Sequence, residues 1–122
     1  MKTFPYIMDS GHGWVRVPRQ EIERLGIEKD ISTFSYQKGR NVFLEEDCDM
    51  QILVDARFAE GQVTNFAEYT NKSRLSRIRK YESYCPTDMT PAEYAEYRKA
   101  RTDSSTTEDA EAVSSVPESI AA

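Results

Sequence analysis

The only histidine of the chain, His12, stands between two glycines and directly before the only tryptophan, in Gly11-His12-Gly13-Trp14. Flanking glycines would expose its ring at a turn, where an imidazole can bind a metal or carry a proton. A zinc hydrolase site commonly uses two or more histidines, and a nucleophilic serine needs an elbow motif that this chain lacks. On its own, His12 reads as a turn residue engaged in local hydrogen bonds. Further along, Glu45, Glu46, Asp47 and Asp49 supply four carboxylates within five positions. Hard divalent cations take several such oxygens, yet no glycine-bearing twelve-residue calcium loop follows. The simpler account is that Asp47 or Asp49 caps the next helix and that the acids form a solvated surface. A transition-metal site would need His12, Cys48 and Asp49 to converge, which sequence alone does not bring about.

From Thr70 to Tyr81 the chain holds Lys72, Arg74, Arg77, Arg79 and Lys80 and no acid. On a helix, Arg74, Arg77 and Lys80 would share one face while Leu75, Ile78 and Tyr81 share another, giving an anchored basic ridge. Such a ridge can meet phosphate. It can equally pair with the 45–49 acids, with the acidic end of the chain, or with another protein, and five charges without a recognition fold favour those pairings over nucleic acid. Tyr81, Tyr84, Tyr94 and Tyr97 interleave with arginines in the same region, a composition that suits either interfaces or core packing. The candidate binding residues are Lys72, Arg74, Arg77, Arg79, Lys80 and Tyr81. No catalytic residue, metal ligand or cofactor is assigned.

The elements that must position these groups follow from the pattern of the chain. Residues 3–8 and 14–17 read as a hairpin around the 9–13 turn. Pro18 opens a short helix to about residue 25; Gly26 ends it and Ile27 is placed to close a Schellman contact. Residues 31–37 and 42–44 read as a second hairpin through Lys38-Gly39-Arg40-Asn41. A helix follows whose Met50, Leu53, Val54 and Phe58 repeat at helical spacing until Gly61. Residues 62–69 predict a strand, 73–84 a basic helix or extended segment, and Thr90-Pro91-Ala92-Glu93 a capping box for a helix to about Arg101. The expected fold is a small α+β domain over 1–101, with an antiparallel sheet built from two hairpins and a further strand, and short helices packed on it.

The 122 residues carry 16 Lys+Arg and 21 Asp+Glu. Five of those acids, and no base, fall in residues 102–122, so the preceding part is neutral. That distribution excludes a uniformly acidic nucleic-acid mimic and a globally basic nucleic-acid binder. The last stretch is rich in Ser, Thr, Ala and acids without an aromatic residue, and is expected to be a disordered acidic tail. No apolar run approaches the roughly 18 residues of a membrane span, and no apolar leader is evident, so a cytoplasmic protein that meets no membrane is expected. Cys48 and Cys85 form neither a CxxC pair nor a metal knuckle and read as reduced, half-buried apolar residues.

The segments Gly11-His12-Gly13-Trp14-Val15-Arg16-Val17-Pro18, Glu21–Ile27, Ser35–Gly39 and Leu44-Glu45-Glu46-Asp47-Cys48-Asp49 together resemble small uncharacterised proteins carried by bacterial phages and plasmids. The likeness spans residues 4–84 and leaves the tail outside. It implies a mobile-element accessory protein with a host-directed binding or regulatory role, and it supplies no catalytic residue. The first functional expectation is therefore an interaction protein that binds a host or element-encoded protein through the basic, tyrosine-rich surface. The alternatives are nucleic-acid binding through the 72–80 segment, and a metal-dependent enzyme built on His12 and the 45–49 acids.

Overall fold

Two adjacent strands, 13–18 and 41–45, supply much of the buried core of the sheet. The computed structural model describes residues 2–70 and 76–106, and the chain divides into two compact units, Met1–Thr87 and Asp88–Ala122. In the first unit, β1 (Thr3–Met8), β2 (Gly13–Pro18), β3 (Tyr36–Lys38), β4 (Asn41–Glu45), β5 (Asn65–Thr70) and β6 (Glu82–Ser83) form one sheet, accompanied by α1 (Arg19–Arg24), α2 (Met50–Ala59) and a 3-10 turn at Arg77–Lys80. The strand order is β5-β1-β2-β4-β3-β6.

Val15 faces Leu44 and Val17 faces Val42 across β2 and β4, and all four side chains are fully buried. Each contributes roughly 1.5–3 kcal/mol relative to an exposed side chain. This is why β4, with Val42, Phe43 and Leu44 in sequence, takes the place beside β2 while the more polar β3 lies outside it. Ile22 of α1 and Leu53 of α2 are also fully buried. Arg57 of α2 lies over the Phe4 ring at 5.2 Å and pairs with Glu21 of α1 at 3.1 Å, which places both helices on this side of the sheet.

The α+β class and both hairpins agree with the sequence expectation, but the sheet is mixed. β1 and β5 run parallel in register from Thr3 opposite Asn65 to Met8 opposite Thr70, because α2 carries the chain across before β5 begins. The strand expected from Ile31 starts only at Tyr36. Its first half folds into turns because Asp49 takes the Ser32 amide (2.9 Å), the Ser32 hydroxyl (2.7 Å) and the Ser35 hydroxyl. Asp49 therefore does not cap α2 with its side chain, as expected, but braces the preceding loop from a buried position. The apolar stripe of α2 is also different: Leu53 and Arg57 face inward, and Phe58 is exposed.

The end of α1 follows the expectation closely. Gly26 adopts φ +70°, the Ile27 amide donates to the Ile22 carbonyl at 3.3 Å and the Gly26 amide to Glu23 at 3.0 Å, the two bonds of a Schellman motif.

In the second unit, α3 (Pro91–Thr106) opens with the expected capping box. The Glu93 amide donates to Thr90 Oγ1 at 3.1 Å and the Thr90 amide to Glu93 Oε1 at 2.9 Å. Tyr94 and Tyr97 stack at 5.8 Å. The helix continues past Arg101 to Thr106; the remainder of the expected tail, 107–122, lies outside the described residues. No helix among the described residues is long and apolar enough to cross a membrane.

Candidate functional site

The side of the sheet away from α1 and α2 carries the candidate residues. Strand alternation places Ile7, Trp14, Arg16, Phe43 and Tyr36 there. Instead of a helix, the segment Ser76–Tyr81 covers part of this side. Ile78 packs with Trp14 and Phe43 in a buried cluster, and Ile7, Tyr36 and Tyr81 pack around it.

The covering segment is fastened by Asp9, whose side chain is fully shielded. Its carboxylate accepts hydrogen bonds from the amides of Gly11, His12 and Ser76, each at 2.9 Å. It also receives Arg79 Nε at 2.8 Å and Nη2 at 3.0 Å. The Arg79 guanidinium, followed by those amides, holds the Asp9 carboxyl far below the usual carboxylate range against the opposing effect of burial. One side chain thus closes the β1–β2 turn and docks a segment almost seventy positions away. The guanidinium also lies over the Trp14 ring at 5.5 Å.

This geometry separates the basic residues that the sequence groups together. Arg79 is committed to Asp9, and among the described residues no base of 77–80 pairs with the 45–49 acids, contrary to one of the expected pairings. Arg77 and Lys80 are exposed and make no ion pair among the described residues. In a 3-10 turn, residues three apart eclipse one another, so these two cations share one side while Ile78 and Tyr81 share another. Of the expected two-sided ridge, the described residues hold Arg77 and Lys80 on one side and Ile78 and Tyr81 on the other, on a single 3-10 turn in place of a helix. Lys72 and Arg74 lie outside the described residues.

A groove of about 720 Å³ runs between this segment and the ends of β1 and β5. Phe43, Tyr69 and Tyr81 give it aromatic walls, and exposed Arg16, Arg77 and Lys80 give it positive charge. Tyr81 is fixed against Phe43 at 5.2 Å and beneath Lys38 at 4.8 Å. Tyr84, by contrast, is a core residue: it is fully buried and its hydroxyl donates to the Glu28 carbonyl at 2.6 Å.

A second pocket, of about 320 Å³, adjoins Trp14 on the other side of Arg79 and is lined by His12, Glu45, Asp47 and Cys48 together with Phe34 and Tyr36. Trp14 lies opposite Glu45 in the β2–β4 register, and the Glu46 amide donates to Gly13 at 3.0 Å, so the glycine-flanked turn is stitched to the acidic turn. His12 Nδ1 then sits 3.2 Å from Glu45 Oε2. Glu45 is buried rather than solvated. Its Oε1 accepts the amides of Asp47 at 2.7 Å and Cys48 at 3.0 Å. Cys48 is exposed and Cys85 buried, where both were expected to be half-buried; local desolvation, reinforced by Glu45, pushes the Cys48 thiol up, which keeps it protonated and a poor nucleophile. The Trp14 indole nitrogen is buried without a hydrogen-bond partner among the described residues. Convergence therefore occurs among His12, Glu45 and Asp47, while Asp49 points to the serines of the preceding loop.

Asp9, Arg16 and the His12–Glu45 proximity escaped the sequence reading. Asp9-Ser10-Gly11 does carry the signal of a side-chain-closed turn, but the pairing of β2 with β4 has no local signature. Comparison with protein-family models, curated proteins and solved structures finds no match to this chain.

Proposed function

We propose that this chain is a cytoplasmic binding protein that holds an acidic segment of a partner protein in the groove between β5 and the Ser76–Tyr81 segment. The observation that carries the reading is the pairing of exposed Arg16, Arg77 and Lys80, which make no ion pair among the described residues, with the aromatic side chains of Phe43, Tyr69 and Tyr81 around one groove. Exposed cations can steer an anionic partner, and preordered rings supply contact area at low entropic cost. The resemblance of the 11–18 and 44–49 segments to phage and plasmid proteins supports a host or element-encoded protein as that partner.

The test is affinity purification from the native host with the full chain and with the double variant Arg77→Glu/Lys80→Glu, each with and without nuclease. The expected result is a protein retained by the unaltered chain, insensitive to nuclease and lost with the variant. Retention of the same proteins by the variant would sink the reading. Loss on nuclease treatment would transfer the groove to nucleic acid, whose binding would weaken steeply as salt rises.

A further inference from the structure

We infer that His12, Glu45 and Asp47 form a binding site for one divalent transition-metal ion of the zinc class, at the mouth of the pocket beside Trp14. The site is separate from the groove above and stands or falls independently of it.

Three features support the inference. The first is geometry. One ring nitrogen and one oxygen from each carboxylate all lie within 4.8 Å of one another. Two atoms bound to one ion at about 2.0–2.2 Å in tetrahedral geometry lie roughly 3.3–3.6 Å apart, and His12 Nδ1 and Glu45 Oε2, 3.2 Å apart, are close to that spacing. Asp47 is exposed on a turn and can close the remaining distance by side-chain rotation.

The second feature is charge. Glu45 is 7% exposed, yet neither it nor Asp47 meets a lysine or arginine in an ion pair among the described residues. Arg79 lines the same pocket, but its guanidinium is committed to Asp9. A buried carboxylate beside a second one favours a positive counter-charge, and among the described residues the half-exposed imidazole is the single basic side chain paired with it.

The third is preorganisation. The Asp47 and Cys48 amides clamp Glu45 Oε1, leaving Oε2 directed at His12. Strand pairing at Trp14–Glu45 fixes the two turns against each other. An ion here would enter a largely prearranged ligand set, the arrangement in which outer hydrogen bonds raise metal affinity. One imidazole with two carboxylates suits a borderline ion such as Zn²⁺ or Co²⁺ better than Ca²⁺, which takes six to eight oxygens. The pocket walled by Trp14, Phe34 and Tyr36 would leave the ion a coordination position open to a small anionic or water ligand.

The experiment uses the full, tag-free chain stripped with chelator. Zn²⁺ is titrated by calorimetry and Co²⁺ by quenching of the emission of Trp14, whose ring lies 6.0 Å from that of His12 and which is the only tryptophan in the chain. The expected result is one equivalent bound, with quenching that saturates at the same stoichiometry. Affinity should fall by about tenfold or more in both His12→Ala and Asp47→Asn. Both side chains are on the surface, and unchanged circular dichroism would confirm folding. Absence of stoichiometric binding, or binding equal in the two variants and the unaltered chain, overturns the inference.

Discussion

The Arg79 guanidinium grips both carboxylate oxygens of Asp9, Nε to Oδ2 at 2.8 Å and Nη2 to Oδ1 at 3.0 Å. This bidentate pair fixes the covering segment over the Trp14–Phe43 side of the sheet, and it distinguishes a structural arginine from its exposed neighbours Arg77 and Lys80.

Replacing Asp9 with alanine should release the Ser76–Tyr81 segment as well as the β1–β2 turn. The loss of several hydrogen bonds to a shielded carboxylate is expected to cost about 2 kcal/mol or more. Urea unfolding would show the lower midpoint, and Trp14 emission would shift to the red as Ile78 leaves the indole. The double substitution Arg77→Ala/Lys80→Ala should leave both readings unchanged, since neither side chain makes an ion pair among the described residues.

Glu21 is buried and receives Arg24 at 2.8 and 3.0 Å, Lys2 at 3.0 Å and Arg57 at 3.1 Å. Hydrogen bonding from Arg24, then the Lys2 ammonium, holds its carboxyl at about 2 in place of the ordinary 4.5, against the opposing effect of burial. A group depressed in the folded state contributes its stability above the unfolded value and loses it as pH falls through the folded one. Unfolding free energy should therefore drop between about pH 4.5 and pH 2. In Glu21→Gln that acid slope should flatten, and stability at neutral pH should fall by about 2–3 kcal/mol because Arg57 is left buried without its carboxylate. An unchanged acid slope in the variant would refute the assignment.

Tyr6 donates its hydroxyl to Glu46 Oε2 at 2.7 Å. Burial, then this bond to Glu46, raises the phenol from 10 to about 12. Stability from this contact is complete below pH 10 and is lost as pH rises towards 12, and tyrosinate absorbance should show Tyr6 titrating late. Gly13 lies directly beneath the ring: a Cβ there would stand 2.7 Å from Tyr6 Cε1 and 3.0 Å from Glu46 Oε1. Gly13→Ala should accordingly displace the ring, destabilise the chain by roughly 1–3 kcal/mol and return the late titration towards the ordinary tyrosine range.

Local chemistry explains which elements were legible. The Gly26-Ile27 stop of α1 and the Thr90–Glu93 capping box are decided within a few residues, where hydrogen-bond geometry leaves little choice. Ile31, Thr33 and Phe34 carry β propensity, but the force that bends residues 31–35 into turns is the Asp49 carboxylate many positions away. Helical spacing points Phe58 inward, but Arg57 is buried instead because Glu21 and the Phe4 ring receive it from outside the helix.

By itself, the sequence determined the α+β class, both hairpins, the neutral balance of residues 1–101 and the presence of a basic, aromatic run near 77–81, because these depend on composition and on contacts within a few residues. Tertiary structure decided the rest. Register between β2 and β4 brought His12 to Glu45, and the buried carboxylate of Asp9 selected Arg79 over Arg77 as the anchored base. Such pairings depend on which strands become neighbours and which charges are desolvated together, and no local pattern encodes either.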